Sequence, residues 1–310
     1  MYKLPTKQFQ QLVPQLRKEG FYEEQEHREI HWREYTLAQI EDAKASLTFI
    51  RDAVDSCHSL DLSGQVGRPL TNPKVLAKAV LFCEVLCIPE RQAEGWLDLL
   101  GPYLGIYEHV DDWVIGEAYN HPEVAYILRQ VFDQSKTSDK KLSGDGTRLE
   151  TSRKQNYESN KKGGDPLTSI VDSREVVQVF DLNGKQECQA MHLLVEQVDG
   201  ESLRLDAGFV DRLLTQKIVE LGMTPFIFPK KSVVLNGSLA WKCMYLWLLE
   251  DAQAWLEEYH QRSHAESFHS SLKRVFGIIT KRRSLAKLVQ VIARIILHNR
   301  RRQAYFTKLA

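Results

Sequence analysis

Apolar positions recur at helical spacing through the first third of the chain. Between residues 28 and 56, Ile30, Tyr35, Leu37, Ile40, Leu47, Ile50 and Val54 fall among charged residues in a pattern that predicts an amphipathic helix. Ser63-Gly64-Gln65-Val66-Gly67-Arg68-Pro69 breaks that pattern. Thr71-Asn72-Pro73 then opens a second helix, with proline at a tolerated early position. It runs through Val75, Leu76, Ala79, Val80, Phe82 and Leu86 to about Ile88, and Pro89 restarts the chain as a third helix over residues 90–100. Gly101-Pro102 ends that helix, and residues 109–133 hold one or two more. Short helices with tight Pro/Gly joints read either as a helix-turn-helix reader of DNA or as a plain bundle. Residues 66–135 are not basic, which favours the bundle.

The texture changes near residue 138. Residues 140–149 predict a strand interrupted by Gly144 and Gly146, followed by a polar, Gly-rich loop over residues 152–164. Two strand-like runs, 167–171 and 175–180, are joined by a hairpin turn at Asp172-Ser173-Arg174. Helix is expected at 188–198, strand at 202–206, helix at 209–221 and strand at 224–228. From about Leu239 to Gly277 the chain reads as helical throughout, and a last helix spans roughly 284–303. Three antiparallel strands followed by alternating helices and strands predict an α/β fold with a mixed sheet, behind an all-helical N-terminal region. That order matches the ribonuclease H-like topology. The expected divisions are residues 1–65, 66–137 and 138–310.

Of 310 residues, 43% are hydrophobic and 26% charged, a globular composition that argues against disorder. No run approaches the roughly 20 apolar residues of a membrane span, and the start lacks the apolar core of a signal peptide, so a cytoplasmic location is expected. The five cysteines are scattered, suit a reducing compartment and include no CxxC pair of the kind that suggests zinc. Cys83 and Cys87, in an apolar run, read as buried. The net charge of zero hides an asymmetry: residues 267–310 carry 11 Lys and Arg and no Asp or Glu. Such a stretch is either a surface for a polyanion, most plausibly nucleic acid, or a solvated basic face.

At 100° per residue, Tyr259, Arg262, Glu266 and Lys273 fall in one stripe about 60° wide, opposite Ala265, Phe268, Leu272, Val275 and Phe276. The stripe is either a solvated face with an i,i+4 Arg–Glu pair or a functional surface. Asp145, between two glycines, is either a hairpin turn or a carboxylate with room for close approach. Asp206, at the end of a strand, is either a helix cap or a site residue.

Taken together these segments resemble a DDE-type transposase of a bacterial or archaeal insertion sequence. Tyr259, Arg262, Glu266 and Lys273 fit the Y-(2)-R-(3)-E-(6)-K signature of one transposase group without a gap. Gly144-Asp145-Gly146-Thr147 is similar to the first catalytic strand of that group, and Asp206-Ala207-Gly208-Phe209 to the segment at its second aspartate. His298-Asn299 resembles a late helix of these proteins. The likeness covers most of residues 138–302, and residues 66–135 more loosely.

The resemblance implies a catalytic triad of Asp145, Asp206 and Glu266 holding two Mg2+ (or Mn2+) ions. Magnesium takes hard oxygen ligands, and two such ions can activate a nucleophile and neutralise a leaving oxygen. It further implies cleavage at the terminal inverted repeats of a transposon and strand transfer to target DNA, by a homodimer associated with the nucleoid. Arg262 and Lys273 are then phosphate contacts, and Tyr259 either bonds a phosphate or stacks on a base, or is a half-buried aromatic. Arg153, Lys154, Lys161, Lys162, Lys281, Arg282, Arg283, Arg300, Arg301 and Arg302 are candidate contacts to the DNA backbone. His260, His264 and His269 are expected at the surface or facing DNA. Some relatives carry a β-rich insertion before the glutamate. Here 59 residues separate Asp206 from Glu266, too few for it, so Trp241, Trp247 and Trp255 are expected in the core. The alternatives are another metal-dependent nuclease on the same scaffold, or a DNA-binding protein that has lost catalysis.

Overall fold

The computed structural model describes residues 6–16, 30–59, 71–137, 139–154, 162–182 and 186–309. Six helices come first: α1 (Thr6–Leu16), α2 (Trp32–Asp55), α3 (Pro73–Leu86), α4 (Glu90–Leu100), α5 (Asp112–Ala118) and α6 (Pro122–Gln134). Strands β1 (Lys141–Lys154), β2 (Lys162–Asp172) and β3 (Val177–Asp181) follow. The chain then alternates through α7 (Glu187–Leu194), β4 (Ser202–Leu205), α8 (Arg212–Glu220) and β5 (Thr224–Ile227). It closes with α9 (Leu239–Glu250), α10 (Ala252–His260), α11 (Ser263–Phe276) and α12 (Ser284–Leu309). The stretch expected to be helical from Leu239 to Gly277 is therefore three helices, interrupted at Asp251 and at Gln261-Arg262. No helix among the described residues is long and apolar enough to cross a membrane.

These elements form two compact units, one taking in α1, Thr137–Arg148 and Pro166–His269, the other His31–Lys136, Leu149–Asp165 and Ser270–Ala310. A bound falls at Lys136/Thr137, one residue from the expected division at 137, while none falls at 65 and residues 149–165 and 270–310 join the helical unit. Helix α1 belongs with the sheet because Phe9, Val13 and Leu16 are buried in the sheet unit's core. Helix α12 belongs with the N-terminal helices because its apolar face packs on α2, α3 and α6.

The sheet unit is α/β. Its five strands lie in the order β3-β2-β1-β4-β5, with β1–β4 and β4–β5 parallel and β2–β3 antiparallel. Parallel neighbours need crossover connections, and α7 and α8 supply them. The β2–β3 turn is held by Asp172, whose Oδ1 accepts the N–H groups of Arg174 and Val176, each at 2.8 Å. Asp172 is buried, and burial raises its carboxyl above the ordinary range despite these bonds.

In the other unit, α3 is buried over nearly its whole length, with α2, α4, α5, α6 and α12 packed against it. Its N-cap is Asn72, accepting the Lys74 N–H, and Cys87 ends it in the left-handed conformation. Cys83 is buried as expected, and Cys87 is exposed because it lies past the last turn. In the core, Glu84 accepts bonds from Tyr119 (2.9 Å), Gln290 (2.9 Å) and Arg294 (2.7 Å). Helix α2 buries Ile50 and Val54 but leaves Ile30, Trp32 and Ile40 largely exposed near its start.

The basic C-terminal stretch finds much of its counter-charge inside this same unit. Arg300 and Arg301 pair with Asp42, Lys281 with Glu90, Lys287 with Asp165 and Lys308 with Glu41. Lys281 also sits over the Tyr119 ring, and Arg302 beside the Tyr305 and Phe306 rings. Lys281, Arg300 and Arg301, expected as DNA contacts, are thus buried or half-buried ion-pair partners. Arg282 and Arg283 are exposed, the latter 3.8 Å from Glu117. Lys161 lies outside the described residues, as do the side chains of Arg153, Lys154 and Lys162.

Candidate catalytic centre

Parallel pairing of β1 with β4 sets Gly144 opposite Leu205, so Asp145 and Asp206 are the next position along each of two neighbouring strands. The glycines around Asp145 lie under side chains that leave no free space for a Cβ. A Cβ on Gly144 would lie 2.7 Å from a Leu205 methyl and 2.8 Å from the Met191 methyl. A Cβ on Gly146 would lie 2.6 Å from Glu187 Oε1. Residues 144 and 146 share one strand face, and α7 closes over it with Met191 and Glu187. Asp145 is therefore a strand residue and not a hairpin turn. Asp206 does cap, as one reading of the sequence held: its Oδ1 accepts the Gly208 N–H at 2.7 Å.

Glu187, the first residue of α7, is a carboxylate that the sequence reading missed. Partial burial, then Asp145 and then Asp206 push its carboxyl above the ordinary range, and His269 opposes them. The only signal in the sequence was an acid opening a helix after a glycine-flanked aspartate.

His269 is expected at the surface or facing DNA. In the structure it is buried, with Nε2 2.9 Å from Ser169 Oγ of β2 and Nδ1 3.5 Å from Asp145 Oδ2. The Ser169 hydroxyl holds one ring nitrogen and so turns the other to the aspartate. His260 is exposed and His264 partly so.

Glu266 is brought in by a turn and not by a continuous helix. Helix α10 ends at His260, and Gln261-Arg262 turns into α11, with the Arg262 N–H bonded to the Tyr259 carbonyl at 2.9 Å. Ser143, two positions before Asp145, donates to the Gln261 carbonyl at 3.1 Å and fixes this turn to β1. Arg204 of β4, fully buried, donates to the Glu258 carbonyl (2.6 Å) and the Leu142 carbonyl (3.3 Å) and pairs with the Glu258 carboxylate. It fastens α10 to the strands that carry Asp145 and Asp206.

Because of the turn, the four signature residues do not share one helical stripe. Glu266 is half exposed and holds Arg262 at 2.6 Å. Burial disfavours the Arg262 charge, but Tyr259, Glu266 and Asp145 outweigh it and raise the guanidinium. Tyr259 is a core residue, stacked on Trp255 with centroids 5.3 Å apart and packed on Phe228. Burial, with Asp206 and Glu266, pushes its hydroxyl up to about 12, and Arg262 opposes them. Buried in this way, it has no free face for a base. Lys273 is exposed two turns along α11. Between Asp206 and Glu266 the chain forms a 3₁₀ turn, α8, β5, α9 and α10, with no added sheet. Trp241 and Trp255 are buried, and Trp247, 37% exposed, packs on Phe226.

Asp145, Asp206, Glu187 and Glu266 offer only carboxylate oxygens, the donor set that suits magnesium or manganese. The gap at Gly146, which admits the Glu187 carboxyl, also fits a site that must bring acids close together. Asp145, Asp206 and Glu266 do not converge within 4.8 Å of one another, as Cys188, His192 and Asp211 do. Two ions about 3.5–4 Å apart hold their outer ligands farther apart than one ion does. Comparison with family models, curated proteins and solved structures finds no match to the chain.

Proposed function

We propose that this chain is a DNA-strand transferase of the DDE transposase kind, with a ribonuclease H-like catalytic unit. The observation that carries the reading is the β1–β4 register, which sets Asp145, within β1, beside Asp206, the residue that follows β4. The turn anchored by Ser143, from which α11 carries Glu266, supports it. Asp145, Asp206 and Glu266 would hold two magnesium or manganese ions, with Glu187 beside them. Such ions lower the pKa of a water or 3′-hydroxyl and neutralise the departing oxygen.

The chain's own residues orient that chemistry. His269, held by Ser169, places its other ring nitrogen 3.5 Å from the Asp145 carboxylate. Arg262 balances Glu266 and, as a planar fork, is suited to a phosphate oxygen once DNA draws it away. Lys273 offers a point charge farther along the same helix. No side chain need form a covalent bond to DNA.

A nuclease on the same scaffold is the second reading, favoured by the intramolecular pairing of Lys281, Arg300 and Arg301. That pairing leaves less basic surface for holding two DNA ends. The discriminating experiment incubates the full chain and Mg2+ with DNA carrying the sequences that flank its coding region. Cleavage at those ends, followed by joining of the 3′-hydroxyl to a second duplex, supports transposition. Cleavage without joining supports the nuclease. Neither product, with the chain folded and DNA bound, refutes both.

A further inference from the structure

A second cluster of donors lies on the other side of α7 from its role beside Asp145. Cys188 and His192 are four residues apart on α7 and so share one helix face. Asp211, which precedes α8, faces them. Its Oδ1 is occupied as a helix cap, accepting the N–H groups of Leu213 (2.6 Å) and Leu214 (3.0 Å). Its Oδ2 is thereby turned toward Cys188 Sγ at 3.8 Å and His192 Nε2 at 3.6 Å. All three ligand atoms lie within 4.8 Å of one another, and all three residues are only partly buried.

The Cys188 thiol reaches Asp211 Oδ2 at a sulfur hydrogen-bond distance, and the 3.6 Å from His192 Nε2 is long for an N–H···O bond of about 2.9–3.0 Å. Both separations are close to the edges of a coordination tetrahedron. With zinc bonds of about 2.3 Å to sulfur, 2.0–2.1 Å to nitrogen and 2.0–2.2 Å to oxygen, tetrahedral edges are about 3.6 Å for S···O and 3.4 Å for N···O. The S···O and N···O separations are longer by only about 0.2 Å, and the sulfur–imidazole pair lies within 4.8 Å. The capping bonds to Oδ1 hold the carboxylate in place, as outer hydrogen bonds do in metal sites.

We propose that Cys188, His192 and Asp211 bind one thiophilic divalent transition ion, zinc in kind, tying α7 to the start of α8. Thiolate and imidazole donors select such an ion over magnesium. On binding, the Cys188 S–H proton passes to solvent and the sulfur coordinates as thiolate. Three protein ligands leave a fourth position for water. The sequence spacing hides the site because the third ligand comes from a different element. The ion would also fix the helix whose first residue is Glu187. The proposal does not depend on the DNA reading.

The test is titration of the metal-free full chain with Co2+ alone, read by absorption. One thiolate-bound ion per chain is expected, read by a thiolate-to-cobalt charge-transfer band and the visible bands of a tetrahedral ion, both displaced by Zn2+; ions held by the carboxylates alone give no such band. Cys188→Ser should remove the charge-transfer band. His192→Gln and Asp211→Asn should each weaken cobalt at least about tenfold, and asparagine keeps the helix cap. Cys243→Ser, at an exposed thiol outside both sites, should keep the charge-transfer band. The proposal is overturned by no cobalt binding, by a charge-transfer band that survives Cys188→Ser, or by affinity unchanged in both His192→Gln and Asp211→Asn.

Discussion

His269 Nδ1 lies 3.5 Å from Asp145 Oδ2, and its other ring nitrogen is held by Ser169. A buried imidazole so placed orients the carboxylate and keeps it from rotating away. His269→Ala leaves the buried Ser169 hydroxyl without this partner, which costs about 1–3 kcal/mol. It should also weaken Mn2+ about 10- to 100-fold, the usual effect of losing a residue that orients a ligand. Ser169→Ala should lose less of both. Urea unfolding and Mn2+ titration by electron paramagnetic resonance measure the two effects.

Gly144 and Gly146 should respond differently to alanine. At 144 the new methyl meets Leu205 and Met191 in a packed interior, so Gly144→Ala should destabilise by about 1–3 kcal/mol. At 146 it meets the end of the flexible Glu187 side chain, which swings away. Gly146→Ala should cost less than about 1 kcal/mol yet displace Glu187 from Asp145. Equilibrium denaturation of the two variants checks the contrast.

Glu187 makes stability depend on pH in a direction that can be worked out. Its carboxyl is raised in the folded chain by partial burial and by Asp145 and Asp206. A raised acid contributes stability that is full below its unfolded pKa and is lost as pH rises through the folded value. In chelator, Glu187→Gln should match the unaltered chain at low pH and melt higher at neutral pH. Thermal melts across that range measure it, and a variant that melts lower at neutral pH contradicts the sign.

The basic residues should divide into two groups. Arg300 is buried against Asp42, so Arg300→Ala should destabilise the helical unit by about 3 kcal/mol. The salt dependence of DNA binding should stay as it was. Reversing the exposed Arg282 and Arg283 should leave stability nearly unchanged and, where they touch phosphate, lower the salt slope by about one per contact. Thermal melts and binding isotherms at several salt concentrations separate the two.

Much of the sheet unit was legible because strand and helix periods differ, because Gly144-Asp145-Gly146 lies within a strand and because Asp206 directly follows one. The break at Gln261-Arg262 was not, since no glycine or proline marks it and Ser143, over a hundred positions earlier, holds it. His269 falls at roughly 280° on the helical wheel, at the border between the polar and apolar stripes, so only packing decides its side. The basic tail misled because a charge count does not reveal that Asp42, Glu84 and Glu90 come to lie opposite it. Glu187 and the Asp211 cluster depend on contacts between separate elements, which periodicity does not carry.

The central claim is that Asp145, Asp206 and Glu266 gather around divalent cations. It is tested most directly by loading the full chain with Fe2+, generating hydroxyl radicals at the bound ion and mapping the backbone cuts by mass spectrometry. The expected result is cuts beside residues 145, 206 and 266 that Mg2+ competes away and that vanish in the Asp145→Asn, Asp206→Asn double variant. Cuts confined to other regions, or unchanged in that variant, would contradict the account.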